Sequence, residues 1–520
     1  MSKRIVTLFL EELESRDLLS VGVLPTGSLL DPAAGHAPFH PPKEAPPTPH
    51  AGRSSGGSTP LNPNWFTPDQ IRNAYGFNQV SLTGAGQTIA IIDVSNDPNI
   101  FNDANTFSAQ FGLPQLTPQT FIKLNEYGNA NGPFPATNSA WSSEISLDVE
   151  WAHAIAPQAK IVLVEANSES TSDVFQAMLT ARSYSGVTVV SMSWGYNESN
   201  AGMRSRMATY DSTYLTTPAG HTPITFVAAT LDSGSRYGVF WPAISPNVVG
   251  VGGTVLTLNS GGGYGSETGW SYSTGGISKY EVRPSYQNLV PNGLTALPAN
   301  RMNPDVSYAA TNFAAYDTVG TYHGWFQAGG TSAGTPQWAG LIALVDQGRV
   351  TSGRLPLNST QTLQGLYQFS GSQDFHDITS GSNGAYTAGA GYDLVTGIGT
   401  PIANNLIPAM MGYVPTASLA ASTVSPAVES TDKGSPPFPK GEMTSIEPPS
   451  ALQFSSNGAS LDLLPATEGP TQSVPDNAMS PVDQFWVAYG NWLGNNSFGH
   501  RDATTVAGLS ARFYLHRADE

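Results

Sequence analysis

Four short apolar runs limit the architectures open to this chain. They are Thr88-Ile89-Ala90-Ile91-Ile92-Asp93, Lys160-Ile161-Val162-Leu163-Val164-Glu165, Val187-Thr188-Val189-Val190-Ser191-Met192-Ser193 and Ile224-Thr225-Phe226-Val227-Ala228-Ala229. Each is too short for a core helix and apolar on both faces, the pattern of a strand covered on both sides. Helical patterns lie between them, as in Ser172-Asp173-Val174-Phe175-Gln176-Ala177-Met178. Strand and helix in alternation imply an α/β fold: a parallel sheet with right-handed crossovers, flanked by helices. Functional residues in such sheets gather beyond the carboxyl ends of the strands.

The ordered domain is expected over 62–413. It begins where Thr67 is placed to cap a helix with Pro68 in its first turn. Residues 21–61 and 414–480 are rich in Pro, Ser and small residues and read as disordered extensions. The segment 481–520 recovers aromatics, with Phe485, Trp486, Tyr489, Trp492 and Leu493 on one helical face that suits docking onto the main domain. At the start, Leu13-Glu14-Ser15-Arg16-Asp17-Leu18-Leu19-Ser20 is similar to a short motif of exported bacterial proteins, so 1–20 is read as an export motif. It is a poor match to a standard secretory signal, because acids follow the apolar run at once.

The formal charge is −17, from 22 Lys plus Arg against 39 Asp plus Glu. That balance repels nucleic acid, and nucleic-acid binding is set aside. The absence of cysteine removes disulfides, thiol nucleophiles and Cys-based zinc sites from consideration. No apolar run reaches transmembrane length.

Three places carry candidate chemistry. In Gly329-Gly330-Thr331-Ser332-Ala333-Gly334-Thr335-Pro336, two glycines precede an apolar helix-like run, with Pro336 expected in its first turn. Ser332 would sit beside free N–H groups at the positive end of a helix dipole. By itself the stretch reads equally well as a capped Gly-rich turn. In Ser143-Glu144-Ile145-Ser146-Leu147-Asp148-Val149, a helix stacks Glu144 on Asp148. Two such carboxyls resolve their repulsion by sharing a proton, unless they simply face solvent. Asp232 follows an apolar strand immediately, as turn aspartates also do.

Together these pieces resemble the sedolisins, serine-carboxyl peptidases related to the subtilisins, over roughly 62–413. The similarity lies in the Glu and Asp four apart, the Ala156-Pro157 that follows, the Asp after a strand, and Gly330-Thr331-Ser332-Ala333, in that order. A fourth motif is similar to the family's calcium loop: Asp377-Ile378-Thr379-Ser380-Gly381 with Ala388-Gly389-Ala390-Gly391-Tyr392-Asp393. The resemblance implies a subtilisin-like fold and acid-acting peptide hydrolysis, by an endopeptidase rather than a tripeptide-removing enzyme. It implies Ser332 as nucleophile, Glu144 as its base, Asp148 orienting that base, and Asp232 as a protonated oxyanion donor. It implies one structural Ca²⁺ held by Asp377, Asp393 and the carbonyls of Ile378, Gly389 and Gly391, and a secreted, monomeric enzyme acting on proteins or peptides.

A subtilisin mechanism is the nearest rival, with Asp93 ending the first strand and His153 downstream. The expected base position holds Glu144, so Asp93 is read as a strand-end residue and His153 as a helix-side histidine. Two departures from the family matter. Residues 1–61 stand where sedolisins commonly have a large prodomain, so either the domain folds unaided or control lies elsewhere, as in the C-terminal tail. Thr230-Leu231 replaces the usual Ser-Gly before the oxyanion Asp, and Leu231 is expected to add bulk beside the oxyanion hole. From this follows a second expectation, a catalytically impaired peptidase fold used for binding.

Overall fold

A computed structural model describes residues 60–290, 296–319, 323–371 and 373–415. The export motif expected at 1–20, nearly all of the expected extensions 21–61 and 414–480, and the aromatic segment 481–520 lie outside those residues.

The four apolar runs form β1 (Thr88–Val94), β3 (Lys160–Ala166), β4 (Val187–Met192) and β5 (Thr225–Ala229). They join β2 (Phe121–Asn125), β6 (Val248–Leu258), β7 (Tyr264–Gly269) and β8 (Val306–Ala309) in one sheet. The order is β8-β6-β5-β4-β1-β3-β2, and every neighbouring pair along it is parallel. β7 adds antiparallel to β6. From β1 the chain moves outward to β2 and back through β3, then crosses to β4 on the other side of β1. The crevice at the carboxyl ends of β1 and β4 is therefore where the winding direction reverses, the usual place for a site in an open sheet.

Alternation along the strands separates two apolar layers. Ile89, Ile91, Leu163, Val189 and Val227 face α3 (Ser139–Ile155) and α5 (Thr331–Thr351). Ala90, Ile92, Val94, Val164 and Val190 face α4 (Thr171–Ser183). Ahead of these lie α1 (Pro68–Ala74), closed at its start by a capping box between Thr67 and Gln70, and α2 (Ile100–Phe111). A hairpin of β9 (Phe313–Asp317) and β10 (Gly324–Ala328) lies against α2 and α3.

α3 begins where the Asn138 side chain accepts from the N–H groups of Ala140 and Trp141. It ends before Ala156-Pro157, since a residue preceding proline avoids helical geometry. Every residue from Trp141 to Ile155 is buried, because the helix lies between the sheet, α2, α5 and the hairpin. α3 and α5 approach closely: a Cβ on Gly340 would lie 2.8 Å from Cβ of Ile155. This contact holds the helix bearing the carboxyl pair against the helix bearing Ser332.

Candidate active site

Ser332 is the second residue of α5, which begins after Gly330 at φ 95°. That backbone conformation belongs to glycine, and it turns the chain from β10 into the helix. Pro336 lies in the second turn, not the first as the sequence suggested. Its missing N–H leaves the Ser332 carbonyl without the usual helical partner. The Ser332 N–H has no acceptor among the described residues and points out of the helix start. Ser332 itself is 4% exposed.

Glu144 and Asp148 lie on α3, wholly buried, and the reading of an acidic solvated face is excluded. Burial pushes both carboxyls well above their ordinary range, and the charge of nearby Asp93 pushes both in the same direction, with Asp232 adding to the rise of Glu144 and Glu144 to that of Asp148. The Ser332 hydroxyl approaches Glu144 and opposes that rise. Neither Glu144 oxygen has an aligned hydrogen-bond donor among the described residues, so the carboxyl is held by packing rather than by bonds. Asp148 Oδ1 accepts from the Ser193 hydroxyl at 3.0 Å.

Asp93 was expected only to end a strand, and the structure gives it more. It shares the parity of Ile89 and Ile91, so it stands on the face that α3 and α5 cover. It is fully buried, has no hydrogen-bond partner on either oxygen among the described residues, and burial raises it to about 7. Three buried carboxyls thus act on one another, and they cannot all ionise. The available signal was its place at the carboxyl end of a fully apolar strand. His153 fits its helix-side reading: Nε2 meets the Pro114 carbonyl at 2.7 Å, and burial lowers its pKa. Among the described residues, no histidine contributes to the shifts of Asp93, Glu144, Asp148 or Asp232.

Asp232 follows β5 and is tied to the start of α5. Its Oδ1 accepts from the Thr331 N–H at 2.8 Å and the Thr331 hydroxyl at 2.9 Å. Burial raises its pKa to about 6, against the two Thr331 bonds that lower it. Leu231, expected to add bulk beside this place, packs with the strand that it follows. At φ 74° it turns its side chain inward onto Ala229 and Phe240, with 7% exposure.

The two segments of the expected calcium loop do meet. Asp377 Oδ2 accepts from the Gly391 N–H at 2.9 Å. Asp393 accepts from the N–H groups of Gly389, Val395 and Thr396 and from the Thr396 hydroxyl. Two carboxylates beside glycine-rich backbone form an all-oxygen donor set, which suits a hard cation.

Comparison with known proteins agrees with this fold. Residues 135–367 match the subtilase family. The chain is 32% identical over 384 residues to kumamolisin of Bacillus sp. (strain MN-32), covering 69% of this chain and 65% of that protein. It is 28% identical over 354 residues to sedolisin of Pseudomonas sp. (strain 101), covering 61% of this chain and 57% of that protein. The chain therefore spans somewhat under two thirds of the length of these curated relatives. The solved structure of Pseudomonas sedolisin, a serine-carboxyl proteinase complexed with two molecules of pseudo-iodotyrostatin, superposes with a TM-score of 0.57 at 26% identity. It covers 68% of this chain and 98% of that one. The fold and the placing of its polar residues at the sheet's carboxyl edge define a subtilisin-like α/β protein. Within that class, the chain has the sedolisin form of the fold, with carboxyl groups on α3 facing the serine of α5.

Proposed function

We propose that this protein is a serine-carboxyl endopeptidase that hydrolyses peptide bonds of protein or peptide substrates at acidic pH. One observation carries the reading: the Ser332 hydroxyl approaches a buried glutamate that interacts with two further buried carboxyls, and among the described residues no histidine takes part. The carboxyl group of three holds protons as well as charge, and the Glu144 carboxylate is a stronger base for being buried.

The steps follow from these positions. Ser332 Oγ attacks the scissile carbonyl while its proton passes to Glu144. Asp148 shares the charge and orients Glu144, as the third group of a triad does. The oxyanion accepts from the Ser332 N–H and from the protonated Asp232 carboxyl, a neutral acid kept for donation by its buried site. Glu144 then gives its proton to the leaving amine. Water repeats the sequence on the acyl-enzyme, with Glu144 again as base, and releases the second product. The same reading puts one structural calcium ion at Asp377 and Asp393, with carbonyls of Ile378, Gly389 and Gly391, where it would pin the loop to the domain. It also makes the enzyme an exported one.

The test is cleavage of a mixed peptide library between pH 2 and 7 by the wild type and by Ser332→Ala. We expect internal cleavage at acid pH, lowered by a factor on the order of 10³ or more in the variant. Folded, calcium-supplied protein that cleaves nothing in that range would leave the fold serving binding alone. Release of N-terminal tripeptides instead of internal cleavage would correct the endopeptidase assignment.

A further inference from the structure

Away from Ser332, the structure gathers a second set of buried acids. Asp97 lies in the loop after β1, Asp103 in the first turn of α2, and Asp317 at the end of β9. All three are buried, and one carboxylate oxygen from each lies within 4.8 Å of the others. Oxygens bound to one ion at about 2.4 Å can be no farther apart than twice that distance, so three ligands of a Ca²⁺-sized ion fit this spread.

The carboxyls are held in place from outside. Asp97 Oδ1 accepts from the Asn99 N–H at 2.8 Å. Asp103 accepts from the N–H and hydroxyl of Thr318, and Asp317 from the Val319 N–H and the hydroxyls of Ser142 and Ser143. These bonds fix orientation and supply no positive charge.

Two oxygens here have no donor among the described residues. One is Asp97 Oδ2. The other is Oε1 of Glu150, a fully buried residue of α3 outside the group of three, whose Oε2 takes the Tyr316 N–H and whose charge is opposed by Asp103, Asp317 and Asp97 together. The nearby ammonium is that of Lys123, and it is committed to the Asn96 side chain, the Asp97 carbonyl and Glu165. Buried carboxylates in this number must keep protons or take up a counter-charge, and a divalent ion would supply that charge where an oxygen of each aspartate lies within 4.8 Å of the others.

We propose that Asp97, Asp103 and Asp317 bind a divalent cation of calcium size, with Glu150 beside them. This site is separate from the Asp377/Asp393 loop and does not depend on the peptidase reading. Its elements include the hydroxyl-bearing first turn of α3, immediately before Glu144. The ion would therefore clamp the loop after β1, α2 and β9 to the helix that carries the carboxyl pair.

Chelator-stripped full-length protein, titrated calorimetrically with Ca²⁺ near neutral pH, tests this. We expect Asp103→Asn and Asp97→Asn each to lose one bound ion, or to bind it at least tenfold more weakly, while Asp377→Asn keeps it. If both cluster variants retain every ion that the wild type binds, with unchanged affinity, the site is not there. The same holds if the wild type binds none. Should the variants fail to fold, a crystal of the wild type soaked in Tb³⁺ decides: an anomalous peak among the three aspartates supports the site, and none at that place overturns it.

Discussion

In the proposed mechanism Asp232 would work through its protonation state, which would tie the upper pH limit to one residue. Raised by burial to about 6, it would donate below that pH and repel an oxyanion above it. Asp232→Ala should cost about 3–4 kcal/mol in transition-state stabilisation, measured as the loss in kcat/KM at acid pH. Asp232→Asn should cost less, because an amide can still accept from Thr331 and donate to substrate. It should also carry activity to higher pH, since an amide does not ionise. An unchanged upper limit in the Asn variant would show that another group sets it. Leu231 poses a different balance. A left-handed leucine costs about 1–2 kcal/mol, and burying its side chain returns a similar amount. We therefore expect Leu231→Gly to shift stability by no more than about 1 kcal/mol. Because the side chain packs with Ala229 and Phe240, kcat/KM should stay within about threefold.

Among the elements, the contact between α3 and α5 matters most, because the proposed base and nucleophile ride on different helices. Gly340 sits where any side chain meets Ile155. Alanine there gains about 1 kcal/mol of helix propensity, but the overpacking costs about 1–3 kcal/mol. Gly340→Ala should thus lower the melting temperature and lower kcat more than KM, as the helices part. A variant as stable and active as the wild type would mean that the contact relaxes freely. The elements also show where reading the sequence succeeds. Strands covered on both faces announce themselves as unbroken apolar runs, so β1, β3, β4 and β5 were legible to within a residue or two. α3 was legible as a helix but not as a buried one, since burial on all sides comes from neighbours distant in sequence. For the same reason Asp93 looked like a strand end: only packing shows that α3 brings two more carboxyls against it. The inward turn of Leu231 depends on a backbone angle that residue identity argues against.

The whole domain hides an unusual number of acids, and its stability should record that. Burial raises Asp93 to about 7 and Asp232 to about 6, and puts Glu144 and Asp148 well above the ordinary carboxyl range. The native state therefore keeps protons that the unfolded chain releases above about pH 4. Stability is full below that pH and declines as pH rises toward 7, by up to about 1.4 kcal/mol per pH unit for each such group. Buried His153 and His376 have lowered pKa values and act the other way, but they are outnumbered. Calorimetry should find a melting temperature that falls between pH 4 and 7. A rise over that range would mean that these acids are already ionised in the native state.

The order of the chain has a consequence for its synthesis. A ribosome makes Asp93 first, then Glu144 and Asp148, then Asp232, and Ser332 last, on the helix that covers their face of the sheet. Until α5 is complete and docked, the acids have no hydroxyl to activate and the serine has no base. On the proposed mechanism the nascent chain would be harmless to itself and to its surroundings, and reactivity would arrive only when α5 docks on the sheet.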